Sequence, residues 1–413
     1  SASDQALDEK PPAIAVLPFT NMSGDPEQDY FVDGITEDII TNLSLWKTFP
    51  VISRNSSFTF KGASMNLKDA AKELGSRYIV EGSVRKGGQR VRITAQLIDA
   101  EQDHHLWSEK WDKNLEDIFD IQDEVSASIA AQINPTLEDY ERERIERIKP
   151  TNYNAWETYL KSLQIFNNRN PSDHEDIELK KAQRLCEKSI KLDDSMSHAY
   201  SLLAKICEWE LLQFTTEDSK KTLNEMLSYA KKAEELDSKN PIAAYGIARH
   251  FFFSGKFEQA KFYSERAIQL NPSYPDAQNI LGQSLVHSGK FAESEKHFLK
   301  AIELNPLDPN AILYKDGLYF AQMGLGNYEM AYFLIEECIS QFSKAGFYKG
   351  FRAAVLGYLD KHTEAKNALD EYLFLRPNLK TKEDYKKIFV PNSSLADILI
   401  EGLCKAGWTP NKS

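Results

Sequence analysis

Few groups of side chains in this sequence could do chemistry, and the first is a pair of adjacent histidines. His104 and His105 follow Asp103, so imidazole and carboxylate ligands for a metal ion stand side by side. The same stretch has the pattern of a strand, in which neighbouring side chains point to opposite faces. The two histidines could not then hold one ion together, and Trp107 and Trp111 nearby favour packing. We therefore expect no metal site.

A second group consists of four carboxylates, which are Asp29, Asp33, Glu37 and Asp38. Paired carboxylates can act as general acid and base, but that chemistry also needs a nucleophile or a positioned partner. No such partner accompanies them, and the lysine–glycine run at 86–88 lacks the GxxxxGK[ST] order of a phosphate loop. We interpret the four residues as helix-capping groups and expect no catalytic residues.

Cysteine usage and charge exclude further kinds of site. The cysteines Cys186, Cys207, Cys338 and Cys404 lie far apart without CxxC or Cys/His spacing, so we expect buried thiols and neither a zinc site nor a cofactor. The formal net charge of −12 argues against binding to a nucleic-acid backbone. No apolar run approaches the ~20 residues that span a bilayer, so we expect no direct membrane insertion by this chain.

The stretch 241–308 repeats itself. Four residue types recur at a spacing of 34: Gly255 and Gly289, Phe257 and Phe291, Ala267 and Ala301, and Pro272 and Pro306. Small residues let two helices approach closely, and each proline ends a helix. This 34-residue helix–turn–helix pattern resembles the tetratricopeptide repeat, whose units must stack because one unit cannot bury its own apolar stripe.

Divergent units flank the two regular ones. Trp156 opens a first repeat, which carries an insertion at Asn170-Pro171, and further units follow at 197–240, 309–345 and 346–380. We therefore predict about six repeats over 153–380, forming a right-handed α-solenoid. The apolar helix within 381–413 is interpreted as the polar-faced cap that the end of a solenoid requires.

The resemblance implies a binding surface, because positions 2, 5, 9 and 12 of helix A line the concave groove in this repeat family. In the regular units these positions are Ile242, Tyr245, Arg249, Phe252, Asp276, Asn279, Gln283 and Val286. Aromatic rings, amides and one arginine suit an extended peptide, since an amide can bind both donors and acceptors. We expect Arg249 and Asn279 to be exposed on one wall. The alternative is that these residues are only a solvated face.

Residues 13–137 have a different pattern. Apolar runs and alternation predict strands at 13–19, 49–54, 78–85, 90–99 and 104–110, with a hairpin turn at 86–89. Helical spacing predicts helices at 31–46, 67–74 and 115–137, with Gly75 capping the second. A polar lead-in at 1–12 and a charge-dense helical linker at 138–152 flank this region.

The order of motifs in this region carries a second resemblance. The stretches AIAVLPFTNMSGDPEQDYFVDGITEDIITNLS, VISRNSSFTFKG, YIVEGSVRKGGQRVRITAQLIDAEQDHHLWSEKWD and IFDIQDEV are similar to the TolB N-terminal-like (FlgO-related) domain, which precedes tetratricopeptide repeats in many bacterial proteins. This resemblance implies a small α/β domain with a mixed sheet and helices on one side. In that family the two parts are commonly joined to a class III adenylate or guanylate cyclase domain, or to a winged-helix regulator resembling CadC.

We therefore expect a non-catalytic module of a bacterial signalling protein that binds a protein or peptide in the repeat groove. It would be the sensory or scaffold part of a nucleotide cyclase. The alternatives are the ligand-sensing region of a CadC-like transmembrane regulator and, less favoured, an enzyme with an unrecognised site in the α/β domain. A homodimer and either compartment, cytoplasm or periplasm, stay open. Because Ser1 opens the chain without methionine, we expect a piece of a longer protein, soluble in itself and tethered to a membrane in some relatives.

Overall fold

A computed structural model describes residues 11–64, 66–133, 152–169, 177–213, 215–308, 311–341 and 346–411. Most of the predicted lead-in and linker, the insertion at Asn170-Pro171 and the end of the helix predicted to reach residue 137 lie outside these residues. The chain divides into two compact units. The first comprises Ser1–Ala243, Ile268–Tyr274 and Glu303–Asp308, and the second comprises Ala244–Ala267, Pro275–Ile302 and Pro309–Ser413.

A five-stranded mixed sheet opens the first unit. Its strands are β1 (Ile14–Val16), β2 (Thr20–Asn21), β3 (Tyr78–Gly87), β4 (Arg90–Asp99) and β5 (His104–Asn114). They run in the order β1-β3-β4-β5, and β2 continues alongside β3. β1 and β2 are parallel to β3, whereas β3, β4 and β5 form an antiparallel meander. The predicted hairpin is confirmed, and Gly88 provides its left-handed turn residue at φ +57°.

The strand predicted at 49–54 is wrong. Only Val51 bridges to Ile14, and the chain turns at once into a short helix, α2 (Arg54–Ser57). Strand pairing fails because the backbone donors are used elsewhere. The Val51 N–H donates to Ser273 Oγ at 3.0 Å, and the Ser53 N–H donates to the Leu304 carbonyl oxygen at 2.9 Å. These partners lie in the loop after α10 and at the carboxyl end of α12, which no local pattern could predict.

Three further helices cover the sheet: α1 (Asp29–Ser44), α3 (Leu67–Leu74) and α4 (Ile118–Ile133). The alternating residues Val91, Ile93, Ala95 and Leu97 of β4 are buried in one core with α1 and α4. Leu74 of α3 packs with Ile79 in a separate core, which lies on the other face because Ile79 alternates with Val80. The expectation that all helices lie on one side is therefore wrong for α3.

Antiparallel helix pairs make up the rest of the described chain. The six pairs within the described ranges are α5 (Tyr153–Asn168) with α6 (Ile177–Leu192), α7 (Ser197–Leu212) with α8 (Ser219–Leu236), α9 (Pro241–Phe253) with α10 (Phe257–Leu270), α11 (Pro275–His287) with α12 (Phe291–Leu304), α13 (Ile312–Leu325) with α14 (Tyr328–Gln341), and α15 (Phe347–Tyr358) with α16 (His362–Leu375). Two shorter helices follow, α17 (Lys382–Lys386) and α18 (Leu395–Lys405).

The small residues that define the repeat do the packing expected of them. Gly255 and Gly289 take left-handed conformations at φ +68° and +81° and end the first helix of their pairs. Ala267 and Ala301 are fully buried at 0% exposure. Ala301 packs with Tyr314 of α13, within the second unit. The repeat register predicted from the sequence is therefore the one the helices adopt.

This packing gives the first prediction. Ala267→Glu or Ala301→Glu should lower the free energy of unfolding by several kcal/mol, because each introduces an unpaired charge at a fully buried helix contact. Gln269→Glu, on the exposed side of α10, is the matched control and should change stability by less than about 0.5 kcal/mol. Chemical denaturation of the three variants is the measurement, and equal midpoints would show that the register is misassigned.

Candidate functional site in the helical repeats

The predicted groove residues lie on α9 and α11, and most of them are buried. Tyr245, Arg249 and Phe252 are each 5% exposed, Asn279 is 8% exposed and Val286 is fully buried. The other three, Ile242, Asp276 and Gln283, are half-buried. The expectation that Arg249 and Asn279 are exposed is therefore wrong.

Polar side chains of two helices are linked in a chain of hydrogen bonds. Arg249 Nη1 donates to Gln283 Oε1 at 3.2 Å, and Gln283 Nε2 donates to Asn279 Oδ1 at 3.5 Å. The Arg249 guanidinium also lies over two aromatic rings, 4.7 Å from the centroid of Phe253 and 5.7 Å from that of Phe252. These three polar residues were predicted to share one wall, and hydrogen bonding joins them. These hydrogen bonds lower the energetic cost of keeping the polar side chains away from water.

An aromatic cluster lies at the carboxyl ends of α9 and α11. The ring of His287 contacts Phe252 edge-to-face at 5.1 Å, Phe257 at 5.7 Å and Phe320 at 6.4 Å between centroids. Burial lowers the pKa of His287 to about 3, so the imidazole is neutral at physiological pH. The cluster surrounds one hydrogen-bonding ring with apolar surface.

Residues 389–405, here called the C-terminal strap, lie against the same helix ends. Ser393 Oγ is 2.8 Å from His287 Nδ1, and the Ser394 N–H donates to the His287 carbonyl oxygen at 2.9 Å. Asn392 Nδ2 donates to the Gly255 carbonyl oxygen at 3.3 Å. The helix of the strap, α18, then packs on α13 and α15. The sequence predicted an apolar helix that caps the end of the solenoid, but its docking on the first helices of earlier repeats was not predicted.

The positions in the last two repeats that correspond to the predicted groove residues can be assigned by counting back from the left-handed residue that follows each first helix. Gly326 has φ +77° and ends α13 as Gly255 and Gly289 end theirs, so alignment on these glycines places Leu313 at position 2 and Asp316 at position 5. In the last repeat, Phe347 falls at position 2. All four residues at position 2, namely Ile242, Asp276, Leu313 and Phe347, are half-buried or exposed. Water reaches the groove residues mainly at this position.

Asp316 of α13 is half-buried as a residue. Its Oδ1 atom is buried and has no hydrogen-bond partner among the residues that the structure describes. Burial raises the pKa of Asp316 to about 7. An unpaired carboxyl group of this kind destabilises the folded chain when it is ionised.

The four acidic residues of the first unit do not form a catalytic pair. Asp33 binds Lys61 at 2.6 Å, Asp38 accepts a hydrogen bond from Gln122 at 2.9 Å, and Glu37 lies 3.4 Å from Arg54. Burial raises the pKa of Glu37, and the charge of Arg54 opposes that shift. Of the four, only Asp29 lies in the first turn of α1. The capping interpretation is therefore wrong for the other three, which join α1 to other elements.

The first helix of the first repeat is covered by the α/β domain of its own unit. The Tyr30 hydroxyl donates to Glu157 at 2.5 Å, and the Lys161 ammonium lies 4.8 Å from the centroid of the Tyr30 ring. A Cβ atom at Gly34 of α1 would lie 2.6 Å from a methyl group of Leu160, so a larger residue here would force the Leu160 side chain to move. α1 and α5 thus share one continuous core.

The histidines, the cysteines and the helices of the described residues bear on metal binding and on membrane insertion. His104 and His105 are exposed on β5, and no cluster of three metal-ligating side chains occurs among the described residues. Three cysteines, Cys186, Cys207 and Cys338, are buried free thiols, and Cys404 is half-buried. Across the ranges that the structure covers, each helix is too short or too polar to cross a bilayer.

Two family models match parts of the chain. Residues 10–128 match the model described as "HilA/YgeH-like transcriptional regulator, second domain", and residues 243–274 and 275–306 each match a tetratricopeptide repeat. The chain thus consists of an N-terminal α/β domain followed by tetratricopeptide repeats, as the sequence predicted. A curated relative, "Putative adenylate cyclase 3" from Rhizobium meliloti (strain 1021), is 38% identical over 250 residues. That alignment covers 60% of this chain and 42% of the relative, so the chain spans less than half of that protein.

The similar solved structures have lower sequence identity to this chain. YrrB, described as a TPR protein with an unusual peptide-binding site, is 20% identical with a TM-score of 0.35, covering 46% of this chain and 92% of its own. PilF of Pseudomonas aeruginosa is 16% identical with a TM-score of 0.40, covering 54% and 92%. TolB from Acinetobacter baumannii is 20% identical with a TM-score of 0.25, covering 32% and 31%. TM-scores below 0.5 carry no information about function.

The hydrogen-bonded chain through Arg249 gives the second prediction. Arg249→Ala should lower the free energy of unfolding by about 1–3 kcal/mol, because it removes a buried bond to Gln283 and two ring contacts. Arg184→Ala, at an exposed position of α6, is the matched control and should change stability by less than about 0.5 kcal/mol. Equal losses from both variants, measured by urea denaturation, would contradict the buried geometry.

The third prediction concerns pH. Because the folded-state pKa of Asp316 is raised, the folded chain holds this proton more tightly than the unfolded chain, so stability from this group falls as pH rises from about 4 to 7. Asp316→Asn removes that dependence. The variant should gain at least about 1 kcal/mol over the parent at pH 8 and lose most of that gain at pH 4. Asp370→Asn, on the exposed side of α16, is the control. A pH-independent difference between the parent and Asp316→Asn would contradict the raised pKa.

Proposed function

We propose that this chain is a non-catalytic regulatory module of a bacterial signalling protein, and that it serves as the sensory or scaffold part of a nucleotide cyclase. The observation that carries this proposal is the 38% identity to a relative named as a putative adenylate cyclase. The chain covers 42% of that relative, which leaves more than half of its length for other domains. Tetratricopeptide repeats bind other chains in many proteins, which fits a module that receives or transmits a signal.

We propose that the binding surface is the groove formed by the first helices of the repeats in the second unit. Only the part of this groove that water reaches would contact a partner. Asp276 and Leu313 at position 2, with Gln283 at position 9, combine a carboxylate, an apolar side chain and an amide. These groups suit an extended segment of a protein partner, whose backbone alternates donors and acceptors. The buried residues Arg249 and Asn279 would position Gln283 rather than touch the partner. A homodimer remains compatible with this proposal.

A second candidate function is favoured by one observation. Residues 10–128 match the second domain of HilA/YgeH-like transcriptional regulators, so the chain could be the ligand-sensing region of a CadC-like transmembrane regulator. An enzyme with a site in the α/β domain is less favoured, because three acidic residues of α1 are already paired with Lys61, Arg54 and Gln122. The two regulatory functions differ in the output domain and not in this chain.

The fourth prediction separates this chain from any output domain. With Mg²⁺ or Mn²⁺, the purified chain should form no cyclic nucleotide from ATP or GTP, because the proposal assigns cyclisation to another part of the protein. The measurement is chromatography of the reaction products, with an active class III cyclase as positive control. Sustained turnover by this chain alone, abolished by heat, would contradict the proposal.

A companion experiment tests the regulatory role in the natural full-length gene product. We expect that product to cyclise ATP or GTP. We also expect Gln283→Ala in the groove to change the rate at least about twofold, measured well below the melting temperature, because this variant also loses the buried bond from Arg249 and should be destabilised by about 1–3 kcal/mol. Gln259→Ala, exposed on α10, is the matched control. If the natural product makes no cyclic nucleotide and binds a promoter fragment instead, the second candidate is correct.

A further inference from the structure

The C-terminal strap occupies part of the surface on which a partner would lie. It contacts the carboxyl ends of α9 and α11 through Asn392, Ser393 and Ser394, and its helix continues along α13 and α15. Each of these four helices is the first helix of a repeat, the helix that presents the groove in this repeat family. We propose that the strap stands in for a partner segment, and that the groove of the second unit binds peptides of the strap's own chemistry. This inference rests on the proposed function as an interaction module.

The chemistry of such a peptide can be read from the strap. Its first part is a turn that supplies hydroxyl and amide groups to His287 and to backbone carbonyl groups. Asn392 takes a left-handed conformation at φ +63°, which asparagine tolerates better than most residues. Its second part is an amphipathic helix that buries Leu395, Leu399 and Leu403. The proposed ligand is therefore an Asn-Ser-Ser stretch followed by a helix with an apolar stripe.

Close contacts at two glycines mark the point where α18 crosses the groove. The helix of the proposed ligand would cross at the same point. A Cβ atom at Gly402 would lie 2.6 Å from the Ala354 carbonyl oxygen, and one at Gly357 would lie 2.2 Å from the Gly402 carbonyl oxygen. Glycine is thus required on both sides of this crossing. At the other end, a Cβ atom at Gly255 would lie 2.3 Å from the Pro391 carbonyl oxygen. The groove therefore selects against ligands with a larger residue at the crossing point.

The ends of the segment that contains the strap are tied together. Thr381 and Asn411 form an isolated bridge, and the Asn411 N–H donates to the Lys380 carbonyl oxygen at 2.8 Å. Residues 382–410 therefore form a closed loop on the second unit. In this proposal the strap leaves the groove while the base of the loop stays attached. A segment held in cis competes with any free peptide, because its local concentration is high. Weakening the strap should then expose the groove to a ligand added in trans.

The experiment uses a fluorescent synthetic peptide of residues 387–408 as the probe and four forms of the full chain. Gly402→Ala changes the strap and leaves the groove intact, so it should speed hydrogen exchange in 389–405 and bind the probe at least tenfold more tightly than the parent. Gly402→Ala combined with Gly357→Ala also blocks the crossing point and should lose that gain. Gly87→Ala, on β3 in the first unit, is the matched control, because a Cβ atom there would meet no other atom within 4 Å and its backbone lies outside the left-handed region, so it should bind the probe as the parent does.

The outcomes decide between distinct explanations. If Gly402→Ala frees the strap by hydrogen exchange but binds the probe no better than the parent does, the groove does not take this class of ligand and the inference is overturned. Tighter binding that survives Gly357→Ala would also overturn it, because the probe would then lie elsewhere. If Gly402→Ala does not fold, Ser393→Ala should raise affinity for the probe by about threefold, and no increase would contradict the inference. A full-length product without cyclase activity would defeat the proposed function and leave these binding results unchanged.

Discussion

The helical part of this protein depends on one kind of contact, in which a ring or a backbone atom lies directly against a residue that has little or no side chain. Phe298 provides the clearest case. A Cβ atom at Gly282 would lie 2.8 Å from its ring, and one at Gly317 would lie 2.2 Å away, so α11 and α13 both close on the same aromatic side chain. Interiors packed at this density cannot absorb an added methyl group without shifting the helices. The same constraint recurs where α18 crosses α15.

This constraint has a consequence for the surface that tetratricopeptide repeats use for binding. In the second unit the chain covers the carboxyl ends of its own A helices with the strap, and Arg249 and Asn279 are buried in a hydrogen-bonded chain with Gln283. Accessible groups concentrate instead at position 2 of each repeat. In the first unit, α1 covers α5 in a comparable way, through Gly34 and Leu160. In each unit, an element outside the repeats packs on first helices of repeats, which would otherwise be exposed to solvent.

The polar residues of the first unit illustrate why local patterns mislead. Asp33, Glu37 and Asp38 follow one another along α1 and resemble helix-capping residues, but each pairs with a side chain from a different part of the chain. Val51 and Ser53 have the sequence pattern of a strand, but their N–H groups donate to Ser273 in a loop and to Leu304 at the end of α12. Partners far away along the chain decided both outcomes.

The sequence by itself determined the repeat register, the left-handed turns at Gly255 and Gly289, the burial of Ala267 and Ala301, and the hairpin of β3 and β4, because each is written in short-range periodicity and turn chemistry. It also placed Arg249, Asn279 and Gln283 together on the A helices. Only the tertiary structure decided which of these side chains water can reach, because exposure depends on what else packs on a helix. The docking of residues 389–405 is set by contacts such as Gly402 with Ala354 and Ser393 with His287. Such contacts join residues far apart in the chain, and local sequence cannot encode them.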